Sequence, residues 1–309
     1  MATYNGGPYL RAQLASLGRQ DRLPDELVIS DDGSVDETEQ VVKEFAATAP
    51  FPVIWLRNSG RRGYRRNLDF ALAATIGDVI LLADQDDVWL EPHISRLVGP
   101  FETNPRLLVV SGDSQEIAAT GQVCSLTVRG GLTPAKLNDT NTAKGGAQFR
   151  SVLAARAVVG HSMALRRGVL ELASPLPATW RHDEWIFLVG AAMGPVLYVD
   201  EVISSFRRYA RLLPAEYPRE GHSASGVVDP DGSAGDLSAD LARWQALLTR
   251  LMYAGPMLPE ADRAVYDVAA KVRLLSFRAS LRRQSAPVRA VRVLPWLLTG
   301  RYRRNLNPS

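Results

Sequence analysis

The sequence predicts an α/β fold: a doubly wound, mostly parallel sheet flanked by helices, with a C-terminal helical extension. Two observations lead to this class. Short apolar runs alternate with helical patterns through the first hundred residues, an order that is typical of parallel strands joined by crossover helices. In addition, the run from Val79 to Ala83 is apolar at every position, which is typical of a strand buried on both faces in a parallel sheet.

The first elements follow this alternation. Pro8 suits the first turn of a helix. The apolar face of that helix is formed by Leu10, Leu14 and Leu17. A strand at residues 26–30 is followed by Ser34 and Glu37, whose spacing is that of a capping box and predicts the start of a second helix.

Another strand and helix come before the apolar run. The strand is expected at residues 52–56, and the apolar positions of the helix are Leu68, Ala71, Leu72 and Thr75. After the apolar run, residues 107–111 continue the sheet. Residues 112–150 are rich in Gly, Thr and Asn, which predicts loops.

The second half contains fewer but longer elements. Helices are expected at Arg167–Ala173 and around residues 185–191, with a strand at residues 196–199. Residues 211–235 contain three Pro with several Gly and Ser, and predict an irregular connector or lid. Two helices with apolar stripes follow, and such stripes are typical of core packing. The stripes are Leu237, Leu241, Trp244, Leu248 and Leu251, and then Val265, Val268, Val272 and Leu275.

Composition and charge restrict the class of protein. A hydrophobic content of 46% and a charged content of 22% are those of an ordinary globular protein. Cys124 is the single cysteine, so an intrachain disulfide is excluded and a reducing cytosol fits. No apolar run of the sequence approaches the roughly 20 residues that span a bilayer. We therefore expect a cytoplasmic protein.

The charge is distributed unevenly along the chain. Residues 250–309 contain 12 Arg and Lys against 3 Asp and Glu, so the preceding residues carry a net charge of −6 within a total of +3. A basic tail that also contains Trp296 and several leucines suits a helix lying on an anionic membrane surface. Packing of the tail against the domain is the alternative, and no nucleic-acid partner is expected.

Asp84, Asp86 and Asp87 stand directly after the apolar run. Three carboxylates this close repel one another unless a cation lies among them. In open α/β sheets the ligand crevice lies at this end of the strands. The pattern therefore predicts Mn²⁺ or Mg²⁺ carrying a phosphorylated ligand, because such ions bind through carboxylates and substrate phosphates. A polar turn that caps a helix is the alternative.

Several motifs, in order, resemble those of family 2 glycosyltransferases, which are inverting, nucleotide-sugar-dependent enzymes of the GT-A fold. They are Thr3-Tyr4-Asn5-Gly6, Asp31-Asp32-Gly33-Ser34, Arg66-Asn67 and Asp84-Gln85-Asp86-Asp87. Residues 160–167 and His182-Asp183-Glu184-Trp185 resemble the acceptor half of the rhamnosyltransferase-like branch. The resemblance covers about residues 2–209. It implies a nucleotide-sugar-binding half at residues 1–110 and an acceptor-binding half at 111–210. The connector at 211–235 and a basic helical extension at 236–309 follow.

The resemblance implies a role for each motif on the donor side. Asp31 and Asp32 would meet the base or ribose of the nucleotide, since a carboxylate accepts hydrogen bonds from an imide or a hydroxyl. Tyr4 would pack beside the base with Thr3 as a polar neighbour. Arg66 would lie near the diphosphate. The alternatives are an Asx-turn that caps the next helix for the two aspartates, and an exposed helix arginine for Arg66.

The resemblance also implies the metal ligands and the base. Asp84 and Asp86 would be the metal-binding Asp-x-Asp pair, with Asp84 also near the donor and Asp87 the adjoining carboxylate. The metal would stabilise the charge that develops on the departing nucleoside diphosphate. Asp183 would be the general base that inversion requires, and Glu184 is the fallback. A helix cap is the alternative for Asp183.

Two histidines and the opening strand have no single interpretation from the sequence. His161 could contact the donor or the acceptor, and it is equally suited to a structural role. Residues 206–209 lack the histidine that relatives often carry near the metal, and His222 is a displaced candidate for it. The opening strand of the family also looks missing, because Met1 stands where that strand should already be ending. We therefore expect further apolar residues upstream.

The resulting expectation is a metal-dependent inverting glycosyltransferase, cytoplasmic or peripheral on the inner face of the membrane. The donor would be dTDP-rhamnose first and a UDP-hexose second. The acceptor would be a glycan or a lipid-linked saccharide in bacterial envelope or extracellular polysaccharide assembly. A non-catalytic nucleotide- or carbohydrate-binding module, or an inactive truncated paralogue, is the alternative. A nucleotidyltransferase would require a phosphate loop, for which residues 60–63 are a poor substitute.

Overall fold

A computed structural model describes residues 1–126, 149, 152, 160–208, 237–254 and 261–282. Within these residues two sheets lie between layers of helices, so the α/β class predicted from the sequence is confirmed. The connector at residues 211–235, His222 and the tail beyond residue 282 fall outside the described residues.

The first sheet is parallel and has the order β1-β2-β3. Its strands are β1 (Ala2–Thr3), β2 (Leu27–Asp31) and β3 (Val53–Arg57). The crossover helices are α1 (Gly7–Leu17), α2 (Thr38–Ala46) and α3 (Tyr64–Ala73). All five residues of β2 are buried because it is the central strand, flanked on both edges. Pro8 lies in the first turn of α1, as expected.

The second sheet is mixed and has the order β4-β8-β6-β9-β5, with β7 paired to β6. Its strands are β4 (Val79–Leu81), β5 (Val88–Trp89), β6 (Val109–Ala118), β7 (Val123–Ser125), β8 (Met163–Arg166) and β9 (Val196–Arg208). Strands β6 and β9 run parallel, whereas β8 is antiparallel to both β4 and β6. The apolar run that suggested a parallel strand is therefore paired antiparallel.

The remaining helices cover the second sheet and bring both halves of the chain into one core. They are α4 (His93–Thr103), α5 (Arg167–Ala173), α6 (His182–Met193), α7 (Leu237–Ala254) and α8 (Ala261–Arg282), with a 3₁₀ turn at Gly160–Ser162. Nine of the twelve residues of α6 are buried, because β6 lies on one side of it and α7 and α8 lie on another. Trp244 and Leu247 of α7 belong to the same apolar cluster as Trp185 of α6.

Three expectations about local structure are wrong. The Ser34–Glu37 capping box does not form: α2 begins at Thr38, and the Ser34 hydroxyl donates to Asp31 instead. The loop expected from residue 112 onwards begins as strand, because β6 continues to Ala118 beside β9. The opening strand is present in short form, because Ala2 and Thr3 pair with the carboxyl half of β2.

None of the helices within the described residues is both long enough and apolar enough to cross a membrane.

Candidate active site

The two aspartates after β2 are buried and already hydrogen-bonded. The Asp31 carboxylate accepts from the backbone N–H groups of Gly33 and Ser34, at 3.1 and 2.8 Å, which is the Asx-turn considered from the sequence. The Asp32 carboxylate accepts from the backbone N–H groups of Arg62 and Gly63, at 2.6 and 2.9 Å. Asp32 therefore fixes the loop that precedes α3.

Tyr4 follows β1 of the first sheet and is held by Gln85, which follows β4 of the second. The Gln85 side-chain amide brackets its backbone: Oε1 accepts from the Tyr4 N–H at 2.9 Å, and Nε2 donates to the Tyr4 carbonyl at 3.2 Å. The Arg61 guanidinium lies over the Tyr4 ring, 4.4 Å from its centroid. Gln85 is the middle residue of the Asp84–Asp86 motif, so the same loop holds the metal-binding candidates and the residue expected beside the base.

In the Arg66-Asn67 motif, the first residue is exposed and the second is buried. Asn67 is buried and donates to the backbone carbonyls of Thr3 and Ser30, at 3.1 and 2.9 Å. It therefore joins α3 to the ends of β1 and β2. Arg66 lies exposed on the same helix.

Asp84, Asp87 and His161 converge on one point. Each offers a ligand atom, and these atoms lie within 4.8 Å of one another. Asp84 is partly buried, whereas Asp87 and His161 are buried. Within the residues that the structure describes, the convergent set includes two of the three aspartates expected from the sequence and replaces Asp86 with a histidine.

One oxygen of the Asp87 carboxylate accepts a hydrogen bond, and the other does not. Its Oδ1 accepts from the backbone N–H of Arg207 at 2.9 Å. Its Oδ2 is buried and has no hydrogen-bond partner within the described part of the chain, although His161 Nδ1 lies 3.1 Å away. Burial raises the pKa of Asp87 well above its usual range, and the nearby carboxylates of Asp86 and Asp84 raise it further. A divalent cation would satisfy this oxygen and offset the repulsion, so these residues fit a metal.

His161 is held on both sides of its ring. Nε2 lies 2.7 Å from the Ser114 hydroxyl, and the ring stacks on Phe206 with centroids 5.3 Å apart. Burial lowers the pKa of His161 to about 4, despite the opposing effect of Asp84 and Asp183. The imidazole is therefore neutral near pH 7, which is the form that binds metals.

Asp183 lies in the first turn of α6 and is buried. Its Oδ1 accepts from the Glu184 backbone N–H at 2.7 Å, and its Oδ2 accepts from Arg181 at 2.5 Å. Burial alone would raise the pKa of Asp183, but His182 and Arg181 outweigh burial and hold the pKa below its ordinary value. The carboxylate is therefore ionised, as a proton acceptor must be.

Tyr64 lies between the Asp84 cluster and the turn that carries Asp183. Its hydroxyl donates to Asp84 at 3.2 Å and lies 3.4 Å from His182 Nε2. Burial raises the pKa of Tyr64 well above its usual value, and the carboxylates of Asp84 and Asp183 add to the shift. The phenol is therefore neutral and able to donate.

Gly160 allows the two sides to approach. A Cβ at this position would lie 2.8 Å from His182 Nε2 and 3.2 Å from the Asp183 Cβ. Because His161 follows directly, the missing side chain places the histidine candidate ligand against the turn that carries Asp183.

Glu184, the fallback base, is engaged elsewhere. It forms an ion pair with Arg243 of α7 at 2.9 Å. Arg243 in turn lies over the Trp180 ring, 4.3 Å from its centroid, and its backbone carbonyl accepts from the Trp180 indole at 2.8 Å. The C-terminal helices are thus tied to the turn that carries Asp183.

Sequence reasoning left His161 undecided and missed Tyr64 and Arg181. The signal for His161 was the Gly160-His161 pair, in which a glycine stands directly before a lone histidine. Tyr64 lies only two residues before the Arg66-Asn67 motif, and Arg181 lies two residues before Asp183. The contacts of Tyr64 with Asp84 and His182 join positions 20 and 118 residues apart, so no local spacing predicts them. The contact between Arg181 and Asp183 is local, and the charge pair two residues apart was the signal for it.

The amino-terminal part of the chain has a family match. Residues 1–121 match the family described as glycosyl transferase family 2. An uncharacterized glycosyltransferase of Nostoc sp. is 26% identical over 243 residues, covering 74% of this chain and 70% of the relative. The dTDP-rhamnosyl transferase RfbG of Shigella flexneri is 33% identical over 104 residues, covering 32% of this chain and 35% of the relative.

Solved structures share the fold. The Staphylococcus aureus TarS fragment 1–349 in complex with UDP-GlcNAc superposes with a TM-score of 0.60 at 16% identity, covering 90% of this chain and 71% of that chain. The same fragment in complex with UDP gives a TM-score of 0.55 at 15% identity, covering 93% and 74%. The amino-terminal 121 residues therefore match glycosyl transferase family 2, and the chain has the GT-A fold of these solved structures.

Proposed function

We propose that this protein is an inverting glycosyltransferase that uses a divalent metal and a nucleotide sugar. The single observation that carries the proposal is the convergence of Asp84, Asp87 and His161 beside the turn that bears Asp183. An inverting transfer needs both parts: a centre that receives the leaving diphosphate, and a base on the acceptor side.

Asp84, Asp87 and His161 would hold the metal. A bound divalent cation supplies electrostatic stabilisation of the diphosphate that leaves. The mixture of one imidazole with two carboxylates favours Mn²⁺ over Mg²⁺, because Mg²⁺ prefers oxygen ligands alone. The unsatisfied Oδ2 of Asp87 supports this assignment.

Asp183 would accept the proton of the acceptor hydroxyl as that oxygen attacks the sugar. In this structure Arg181 occupies its Oδ2, and the Arg181 side chain is 44% exposed, so it has room to swing towards solvent. Withdrawal of Arg181 would free the carboxylate and make it a stronger base. Asp31 and Asp32 would shape the nucleotide pocket through the loops that they hold, and Tyr4 would lie beside the base. Arg66, exposed on α3, would reach the diphosphate.

We propose dTDP-rhamnose as the first candidate donor and a UDP-hexose as the second. The match to a dTDP-rhamnosyl transferase supports the first, although it covers only 32% of this chain. The match to an abequosyltransferase of Salmonella typhimurium, 34% identical over 97 residues, extends the candidates to other deoxysugars. The acceptor would be a glycan or lipid-linked saccharide of the bacterial envelope or of an extracellular polysaccharide.

The test measures release of the nucleoside diphosphate from each donor, with and without Mn²⁺. We expect release from one donor class, dependent on Mn²⁺ and lost in Asp87→Ala. Asp183→Asn should still bind the donor, seen as a rise in melting temperature, but should not transfer the sugar. A binding module would instead show the rise in melting temperature with no release in the unaltered protein, which would contradict the proposal.

The basic tail supports a second, separate proposal, which rests on its sequence alone. Residues 283–309 would bring the enzyme to an anionic membrane face, where a lipid-linked acceptor would be found. Co-sedimentation with anionic vesicles should fall when the chain ends at Arg283. Equal co-sedimentation of the full-length and shortened chains would reject the anchor.

A further inference from the structure

Three buried serine hydroxyls form a closed cluster behind His161. Ser114 Oγ lies 2.9 Å from Ser162 Oγ and 2.8 Å from Ser204 Oγ, and the last two are 2.5 Å apart. Ser114 Oγ also contacts His161 Nε2 at 2.7 Å. All three serines are fully buried. They come from β6, the 3₁₀ turn and β9, so the fold assembles the cluster from three separate segments.

We propose that this hydroxyl cluster is a positioning device that fixes His161 in the tautomer protonated at Nε2, which turns the Nδ1 lone pair towards the metal site. The inference rests on the proposed metal-binding role of His161. It adds Ser114 and Ser204, which lie outside every motif, and gives a role to Ser162 within residues 160–167. Metal-ligating histidines are oriented in this manner by a partner on the ring nitrogen that does not bind the metal.

The number of hydrogens in the cluster selects the tautomer of His161. The cluster contains four contacts: three between hydroxyls and one between Ser114 and Nε2. Each contact needs one hydrogen, and three hydroxyls supply three. Within the described residues these three hydroxyls have no other hydrogen-bond partner, so the fourth hydrogen must be carried by His161 Nε2. In that tautomer all four contacts are hydrogen bonds.

The tautomer protonated at Nδ1 is less stable for two reasons. With Nε2 unprotonated, Ser114 must donate to it, and two hydrogens remain for three hydroxyl contacts. One pair of buried oxygens would then face each other without a hydrogen, which is costly in a buried site. In addition, the proton on Nδ1 would gain little, because Asp87 Oδ2 at 3.1 Å does not form a hydrogen bond with the ring in this geometry.

The tautomer of His161 therefore depends on Ser204 and Ser162, although their hydroxyls do not contact the histidine ring. If either is changed to Ala, two contacts remain, between Ser114 and the surviving serine and between Ser114 and His161. The two remaining hydroxyl hydrogens then satisfy both contacts with Nε2 unprotonated. Neither tautomer then leaves a buried contact without a hydrogen, so the tautomer is no longer fixed.

The direct readout is the tautomer of His161 in the metal-free protein, measured from the nitrogen-15 shifts of its ring at neutral pH. The chain contains only 4 histidines, so His161→Gln assigns the signal. We expect a single Nε2-protonated form in the unaltered protein and a mixture of tautomers in both Ser204→Ala and Ser162→Ala. A single Nε2-protonated form in those two variants, or an Nδ1-protonated form in the unaltered protein, would overturn the inference.

The second readout is the Mn²⁺ dissociation constant, measured by calorimetry without donor. Ser204→Ala and Ser162→Ala should weaken Mn²⁺ binding roughly 10-fold, the lower end of the effect known for partners of metal ligands. Ser205→Ala is the matched control, because this buried neighbour on β9 bonds Gln115 at 2.9 Å instead. Equal affinity in all three variants would contradict the inference. Absence of Mn²⁺ binding by the unaltered protein would instead refute the metal proposal, while the tautomer measurement would still decide the role of the serines.

Discussion

Gly160→Ala tests whether the close approach of His161 to the Asp183 turn is needed for catalysis. The added methyl group would lie 2.8 Å from His182 Nε2 and 3.2 Å from the Asp183 Cβ, whereas ordinary contacts begin at 3.4 Å. The His182 ring must therefore move by about 0.6 Å and the Asp183 backbone by about 0.2 Å. The ring can rotate away, but the Cβ moves only with the helix that carries it.

We expect Gly160→Ala to lower the catalytic rate more than it lowers the stability of the fold. A misplacement approaching 1 Å can cost about 100-fold in rate, so we expect kcat to fall roughly 10- to 100-fold. Overpacking of this kind should lower the free energy of unfolding by about 1 kcal/mol. The assay is steady-state release of the nucleoside diphosphate in the presence of acceptor, beside urea unfolding of the same preparation.

Gly168→Ala is the matched control for this prediction. Gly168 lies exposed on α5, and a Cβ there would meet nothing within 4 Å. Because Ala is favoured over Gly inside a helix, this variant should be unchanged in kcat and slightly more stable. If Gly160→Ala retains a kcat within twofold of Gly168→Ala, the close approach is not a catalytic requirement and the reasoning is refuted.

Three further predictions follow from the buried polar contacts. Burial lowers the pKa of His93 to about 3, so the folded protein keeps it neutral while the unfolded chain binds a proton below about pH 6.5. The neutral His93 side chain stabilises the folded protein above pH 6.5, and this stabilisation is lost as the pH falls. The free energy of unfolding should decrease by about 2 kcal/mol between pH 7.5 and 5. In urea unfolding, His93→Gln should show a smaller decrease over the same range. Gln85→Ala should raise the KM for the donor with little change in Mn²⁺ affinity, because Gln85 holds the backbone of Tyr4; an unchanged KM would reject this role. Arg243→Met keeps an aliphatic side chain over the Trp180 ring but removes the ion pair with Glu184. We expect the free energy of unfolding in urea to fall by about 1 kcal/mol; an unchanged value would show that the ion pair contributes nothing to stability.

The alternation of strands and helices was predictable because it depends on residues that are close together in the sequence. β2, β3 and α3 follow from apolar spacing within about ten residues, and Pro8 marks the first turn of α1. The error at Ser34 has a physical cause: its hydroxyl had two available partners, and the neighbouring Asp31 carboxylate replaced the helix terminus. Local pattern could not rank those two hydrogen bonds.

The site was predictable only where its residues adjoin one another in sequence. Asp84 and Asp87 were predicted as metal ligands from their position after an apolar run, and their carboxylates lie beside His161 in the structure. The third member, His161, is brought in by strand pairing between β4 and β8, and by the absence of a side chain at Gly160. Sheet order is a non-local property, so no spacing in the sequence could have selected His161 over Asp86.

The central claim is that Asp84, Asp87 and His161 together hold the divalent metal beside the donor. The most direct measurement is pulsed electron paramagnetic resonance of Mn²⁺ bound to the protein, which detects a nitrogen ligand through its nuclear coupling. We expect one Mn²⁺ per chain with one directly bound imidazole nitrogen, and loss of that coupling in His161→Gln. Mn²⁺ bound without nitrogen coupling, or with the same coupling in His161→Gln, would contradict the account.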